Sequence, residues 1–178
     1  ESRDPVEIFA REIKKNAWIE DHLSQGEQFG QYWATGEFSY RSEYCATDGL
    51  VLVGDAFSFL DPVFSSGVYL ALRSGELAAE TINQTFKDDG KFTAENFVDY
   101  GKDFRNAVET MRKIVYAFYD EKFSFGKLIR KDMNLREPLT DCLIGNIDDK
   151  DFSNLFTAMS EFADLPDPVN YGDVLCTA

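Results

Sequence analysis

Residues 49–75 decide the fold: Gly49-Leu50-Val51-Leu52-Val53-Gly54-Asp55-Ala56-Phe57-Ser58-Phe59-Leu60-Asp61-Pro62-Val63-Phe64-Ser65-Ser66-Gly67-Val68, followed by Tyr69-Leu70-Ala71-Leu72-Arg73-Ser74-Gly75. Leu50 to Val53 is an unbroken apolar run with two β-branched residues, which reads as a fully buried strand. Gly54-Asp55 ends it, and Asp61-Pro62 breaks the backbone again. A helical period begins at Val68. Val68, Ala71, Leu72, Gly75, Ala78, Ala79, Ile82 and Phe86 fall on one face, expected to be buried, with Arg73, Glu76, Glu80 and Asn83 on the other. On that face Gly75 reads as a point of close helix–sheet packing. The product is a strand, an acid-bearing loop, a Ser-Ser-Gly turn and a long helix. The start of that helix leaves backbone N–H groups without intrahelical acceptors, and such an end attracts negative charge.

Alone, an acid after a strand is often only a turn or capping residue. Here Val53-Gly54-Asp55-Ala56 is followed at fixed spacing by Asp61-Pro62-Val63-Phe64-Ser65-Ser66-Gly67-Val68. This pattern resembles the second flavin-binding motif of the FAD-dependent monooxygenase superfamily, and within it the flavin-dependent halogenases and their relatives. The close match covers about twenty residues; weaker similarity runs from Pro5 to about Phe162. The resemblance implies FAD as cofactor, with Gly54, Asp55, Pro62, Ser65, Ser66, Gly67 and Val68 as cofactor-binding positions. Asp55 would hold a ribityl hydroxyl. Ser65, Ser66, Gly67 and Val68 would line the isoalloxazine, and a halide would sit near Ser66 and Gly67. Further along, Phe118-Tyr119-Asp120 and Phe123-Ser124-Phe125 are similar to the same group, in which the C-terminal helices border the substrate cavity.

Composition sets the outer limits. The 178 residues suffice for one domain with a real core. The 16 Phe point to aromatic packing or a pocket for a flat ligand, the former being the commoner reason. A net charge of −14 repels a phosphate backbone and acidic lipid, so nucleic acid is not an expected partner. No apolar run approaches a membrane span. His22 is the single histidine, which leaves no His-rich metal site and makes a Ser-His-Asp triad rest on one residue. The elbow pattern G-x-S-x-G is absent, since Val63 and Phe64 stand where its first Gly would fall for Ser65 and Ser66. Cys45, Cys142 and Cys176 are far apart and odd in number, so neither a zinc site nor a disulfide framework is indicated, and a reducing cytoplasmic setting is expected.

A flavoprotein of this kind also needs a G-x-G-x-x-G strand-to-helix turn for the pyrophosphate, and none occurs here. The chain opens Glu1-Ser2-Arg3-Asp4-Pro5 without a Met. Both features lead to the expectation of a C-terminal half whose N-terminal half completes the enzyme.

Outside the motif, Asp4, Pro5 and Glu7 spell a capped helix start, and Asn16 a second start through Trp18, Ile19 and Leu23, ending near Gly26. Phe29 to Ala34 and Phe38 to Tyr44 read as a hairpin around Thr35-Gly36, crowded with Tyr32, Trp33, Phe38, Tyr40 and Tyr44. Thr47-Asp48-Gly49 turns the chain into the central strand. Lys87 to Gly90 ends the long helix. Thr93 starts another of about 25 residues, with Phe97, Tyr100, Phe104, Ala107, Val108, Met111, Ile114, Val115 and Phe118 at helical spacing. Pro138 opens a short helix ending at Gly145. Phe152, Leu155, Phe156, Met159 and Phe162 form the last one, stopped at Leu165-Pro166, with an extended tail beyond. Gly172-Asp173 has no buried strand before it and carries no weight.

The expected fold is α+β and mainly helical: the C-terminal part of an FAD/NAD(P)-binding flavoprotein fold, with one buried strand, a hairpin and several long helices. Residues 1–48 would end the substrate domain, 49–90 form the flavin motif, and 91–178 the C-terminal helical region. The resemblance implies an FAD-dependent oxidoreductase of the halogenase or monooxygenase type. It would take a small aromatic or apolar substrate and receive reduced flavin from a separate reductase. Two alternatives stand beside it. A geranylgeranyl-reductase-like oxidoreductase would carry a Gly-Glu-Gly-like turn where Ser65-Ser66-Gly67 stands. A cofactor-free helical interaction module would leave Ser65-Ser66-Gly67 after Asp55 without a reason.

Overall fold

The computed structural model describes residues 2–36, 38–147 and 150–169. The chain divides into two compact units, Glu1–Glu37 and Phe38–Ala178. Gly172-Asp173, Cys176 and the extended tail lie outside the described residues.

The first unit holds α1 (Pro5–Lys14) and α2 (Ala17–Leu23). Both starts are as the sequence reads. Asp4 accepts from the Val6 amide, and Asn16 accepts from the Trp18 and Ile19 amides, satisfying donors that have no partner inside the helix. His22 is half-exposed; its Nδ1–H donates to the Trp18 carbonyl at 2.8 Å, and its ring lies against Trp18.

The expected hairpin does not form. Residues 31–36 carry no ladder, and Gly30 turns at φ 75°. The strand that does form, β1 (Tyr40–Arg41), pairs antiparallel with β4 (Ser58–Phe59), downstream in the flavin-like motif. Side chains explain the choice. Phe38 and Tyr40 stack on Phe59 at 4.9 and 6.2 Å, and the Tyr40 hydroxyl donates to the Asp55 carbonyl. Aromatic cross-strand pairs of this kind outweigh a local turn with no such partner.

β2 (Ala46–Thr47) and β3 (Leu50–Val51) form a small hairpin around Asp48-Gly49, Gly49 taking φ 74°. The expected buried strand is therefore only two residues long and is not buried: Leu50 is 55% exposed and Val53 38%. Its apolar run is suited to cover on both faces, but among the described residues β3 pairs with β2 alone.

Behind the hairpin runs α4 (Val98–Tyr119), the centre of the core. It is led in by a 3-10 turn, Ala94–Phe97, with Thr93 and Asn96 forming a capping box. Tyr100, Phe104, Ala107, Val108, Met111, Ile114 and Val115 are buried, as their spacing predicts. The helix holds the hairpin by polar tethers as well. The Tyr100 hydroxyl donates to the Leu52 carbonyl and the Arg105 guanidinium to the Glu43 carbonyl, while Asp48 accepts from the Ala94 amide. Phe57, fully buried, meets Phe104 at 5.3 Å.

α3 (Gly67–Asp88) packs along α4, and of the face that its hydrophobicity selects only part, with Ala78 and Ile82, meets the core. Leu70, Ser74, Ala78 and Thr85 are buried, whereas Val68, Leu72 and Phe86 are 72%, 71% and 68% exposed. The polar members of the inner face carry their own satisfaction. Thr81 and Thr85 donate to the Leu77 and Thr81 carbonyls, and Ser74 donates to the Ala71 carbonyl, so burying them strands no donor. Gly75 is likewise not at a close approach, since a Cβ built on it meets nothing within 4 Å.

On the far side of α4 lie α5 (Phe125–Lys131), α6 (Arg136–Ile144) and α7 (Ser153–Met159), contributing Leu128, Leu139, Cys142, Leu155 and Met159 to the core. α5 is an element for which the sequence carries no marked start. α6 begins two residues before Pro138, which occupies its first turn and needs no amide partner there. α7 ends at Met159, short of Leu165. Burial raises the thiols of Cys45 and Cys142, the latter to about 12, so both are packing groups and not nucleophiles.

Candidate functional site

The chain leaves Val53 in extended conformation and enters Gly54 at φ 51°, a left-handed value that favours glycine. A 3-10 turn follows over Gly54–Ala56. The Gly54 amide donates to the buried Ser74 hydroxyl at 2.8 Å, and a Cβ on Gly54 would sit 3.2 Å from that of Ala71. Glycine is thus needed twice over, for the dihedral and for the approach. These contacts seat the turn on the N-terminal part of α3, one helical turn from Val68.

Asp55 is exposed, and among the described residues no donor reaches its carboxylate. Only its backbone is engaged, through the Tyr40 hydroxyl. The acid does not cap a helix here and satisfies no turn.

The loop returns through β4 to Asp61, which caps a second 3-10 turn, Pro62–Phe64, by accepting from the Val63 amide at 3.0 Å. Ser65 then takes φ 56° and ψ 30°, the one non-glycine residue at positive φ among those described. Such strain in a non-glycine residue is typical of functional turns. Ser66 is buried and its hydroxyl makes no capping bond, so α3 begins on bare amides. The carbonyl of Ser66 accepts from Leu70, while Gly67 and Val68 lie in the first turn, where no intrahelical acceptor exists. A Cβ on Gly67 meets nothing within 4 Å, and Gly67 is exposed. Pro62 and Val68 are exposed.

The structure therefore brings Gly54 and Asp55 onto the helix that Ser65, Ser66, Gly67 and Val68 begin. Three further side chains hold this arrangement. Ser74, which the sequence did not mark, holds Gly54 from below; Tyr40 and Tyr119, which it did mark, hold the Asp55 carbonyl and reach Asp61 at 3.0 Å, bonds that no pattern showed. Their partners lie 15 to 58 positions away, beyond the reach of any local pattern.

Elsewhere, a cleft of about 360 Å³ is lined by Arg73, Asp103, Asn106, Lys150 and Asp151 and includes none of residues 54–68. Arg73 pairs with Glu76 and Lys150 with Asp141. Among the described residues no three His, Cys, Asp or Glu side chains gather as a metal site, and no helix is long and apolar enough to cross a membrane.

Comparison with known proteins gives a family. The family model for tryptophan halogenase matches residues 34–146. The 1H-pyrrole-2-carbonyl-[peptidyl-carrier protein] chlorinase of Pseudomonas fluorescens is 28% identical over 141 residues, covering 79% of this chain and 31% of that protein. The corresponding brominase of Pseudoalteromonas luteoviolacea is 38% identical over 88 residues, 49% of this chain and 21% of that protein. The flavin-dependent halogenase armH1 of Armillaria mellea is 42% identical over 60 residues, 34% of this chain and 12% of that protein. The chain spans less than a third of the length of these relatives.

Proposed function

The chain belongs to the tryptophan halogenase family, and from that premise we propose that it is the C-terminal portion of an FAD-dependent oxidoreductase of the halogenase type, supplying the ribityl and isoalloxazine side of the flavin site. The observation that carries this reading is the solitary carboxylate of Asp55. It stands exposed on a turn packed against the helix that Gly67 begins, where a Cβ would meet nothing within 4 Å.

The residues fit the cofactor. An unpartnered carboxylate accepts a hydrogen bond from a ribityl hydroxyl. Gly67 and Val68 present amides at the positive end of a 22-residue helix, suited to a flavin edge that gains negative charge on reduction. Gly67, with no side chain, lets a flat ring approach, and the same amides beside Ser66 offer a halide its donors. Bound FAD supplies the redox chemistry with dioxygen; this chain orients the ring and holds charge.

The missing pyrophosphate turn comes, in this reading, from the N-terminal half of the same enzyme. The exposed apolar residues Leu50, Val53, Val68 and Leu72 are the surface suited to receive it. Reduced flavin arrives from a separate reductase. Two relatives are named for a pyrrole carbonyl group on a peptidyl carrier protein, and another, from Chondromyces crocatus, for tryptophan. We extend that to a small aromatic substrate here. Similarity to halogenases favours this reading over the isoprenoid reductase and the cofactor-free module.

The test uses the full-length enzyme with reduced FAD, oxygen, bromide and a panel of pyrroles and indoles, free and carrier-bound. A product with the paired isotopic signature of bromine, absent without bromide, is expected. Oxygenated product alone, or product indifferent to halide, removes halogenation.

A further inference from the structure

We propose that Tyr119, at the C-terminal end of α4, is a positioning residue for the flavin-facing turn. This deepens the reading above and rests on it. The turn at 61–65 has to hold Ser65 in left-handed conformation, and nothing in α3 does so, because Ser66 supplies no side-chain cap. Its internal bonds are local: the Val63 amide to Asp61 and the Ser65 amide to the Pro62 carbonyl. Such bonds shape a turn without fixing where it points.

The fixing contacts come from far along the chain, the hydrogen bond from 58 residues away. The Tyr119 hydroxyl donates to Asp61 Oδ1, the same oxygen that accepts from Val63, so one carboxylate both caps the turn and ties it to α4. Beside it, the Phe64 ring meets Phe118 edge-on at 5.2 Å and Phe125 at 6.1 Å. Bond and rings act on opposite ends of one 3-10 turn, so its rotation about the chain is fixed. The amides from Ser65 to Gly67 inherit that orientation. The tether is charge-assisted but half-exposed, so its loss loosens the turn without unfolding the helix.

In the full-length enzyme, Tyr119→Phe keeps the ring and removes the hydroxyl. It is expected to weaken FAD binding about fivefold and to speed hydrogen exchange at the Val63 and Ser65 amides about tenfold. The temperature of unfolding stays unchanged. Asp61→Ala, which removes the Val63 cap as well as the tyrosine bond, should lose at least as much FAD affinity, and the double variant should be no worse than Asp61→Ala alone, because the tyrosine's acceptor is then already gone. Asp61→Asn, which keeps an acceptor oxygen for both donors, restores binding. Exchange and FAD affinity unmoved by Tyr119→Phe, faster exchange with unmoved affinity, or effects that multiply in the double variant would each overturn the proposal. These outcomes strike Tyr119 alone. A wild-type enzyme that takes up no FAD fails differently, since it removes the flavin reading and this proposal with it.

Discussion

Asp55→Ala in the full-length enzyme is expected to lower FAD affinity at least about tenfold while leaving thermal unfolding where it was, since a hydrogen bond to a charged group carries about that much. The two halves of this expectation come from one observation. Among the described residues the carboxylate has no partner, so the fold there does not depend on it. Its turn is held by Ser74 below and Tyr40 behind, so the proposed flavin contact needs no rearrangement of the backbone. Asp55→Asn keeps an acceptor but loses the charge, so a smaller loss is expected. Equilibrium titration followed by flavin fluorescence, beside a melting curve, reads both quantities. Unchanged affinity in Asp55→Ala would take Asp55 out of the site.

Gly145→Ala should be the most destabilising glycine-to-alanine change among the described residues. Gly145 ends α6 at φ 78° with its amide turned back to the last carbonyls of the helix, a conformation that an L side chain resists by roughly 1 kcal/mol. The added Cβ would also lie 2.8 Å from two ring carbons of Tyr69, in the first turn of α3. That ring is not the loose end of a flexible chain and cannot withdraw cheaply; overpacking of this kind costs about 1–3 kcal/mol more. The total is about 2–4 kcal/mol, or about 5–10 °C in the midpoint of thermal unfolding of a domain this size. A shift under about 2 °C would mean that Tyr69 moves aside freely. Since Tyr69 follows Val68 directly, the same variant should also weaken FAD binding in the full-length enzyme.

What the sequence discloses, and what it withholds, divides by range. Asp4, Asn16 and Thr93 act on amides two or three residues away, and their helices begin where those residues stand. Asp61-Pro62 and the Ser-Ser-Gly turn are equally local, so the outline of the candidate site is legible. The pairing of Tyr40 with Phe59 depends on rings brought together from 19 positions apart, and a nearer hairpin looked better on pattern alone.

The face of α3 departs from its hydrophobic period for a different reason. A hydrophobic period shows which side avoids water, and in this chain that side, with Val68 and Leu72, is open. The side that meets α4 includes Ser74 and Thr85, whose hydroxyls bond within their own helix or to Gly54. The strand at Leu50 shows the same pattern: apolar on both faces, it pairs among the described residues with β2 alone. Both apolar surfaces flank the turn that carries Asp55, which agrees with a flavin site completed by another part of the enzyme.

The most direct test of the central claim is a structure of the full-length enzyme with oxidised FAD. The account predicts the Asp55 carboxylate within hydrogen-bond reach of the ribityl chain and the amides of Ser66 to Val68 facing the pyrimidine edge of the ring. A flavin seated elsewhere, with Asp55 open to solvent and the start of α3 covered only by protein, would contradict it.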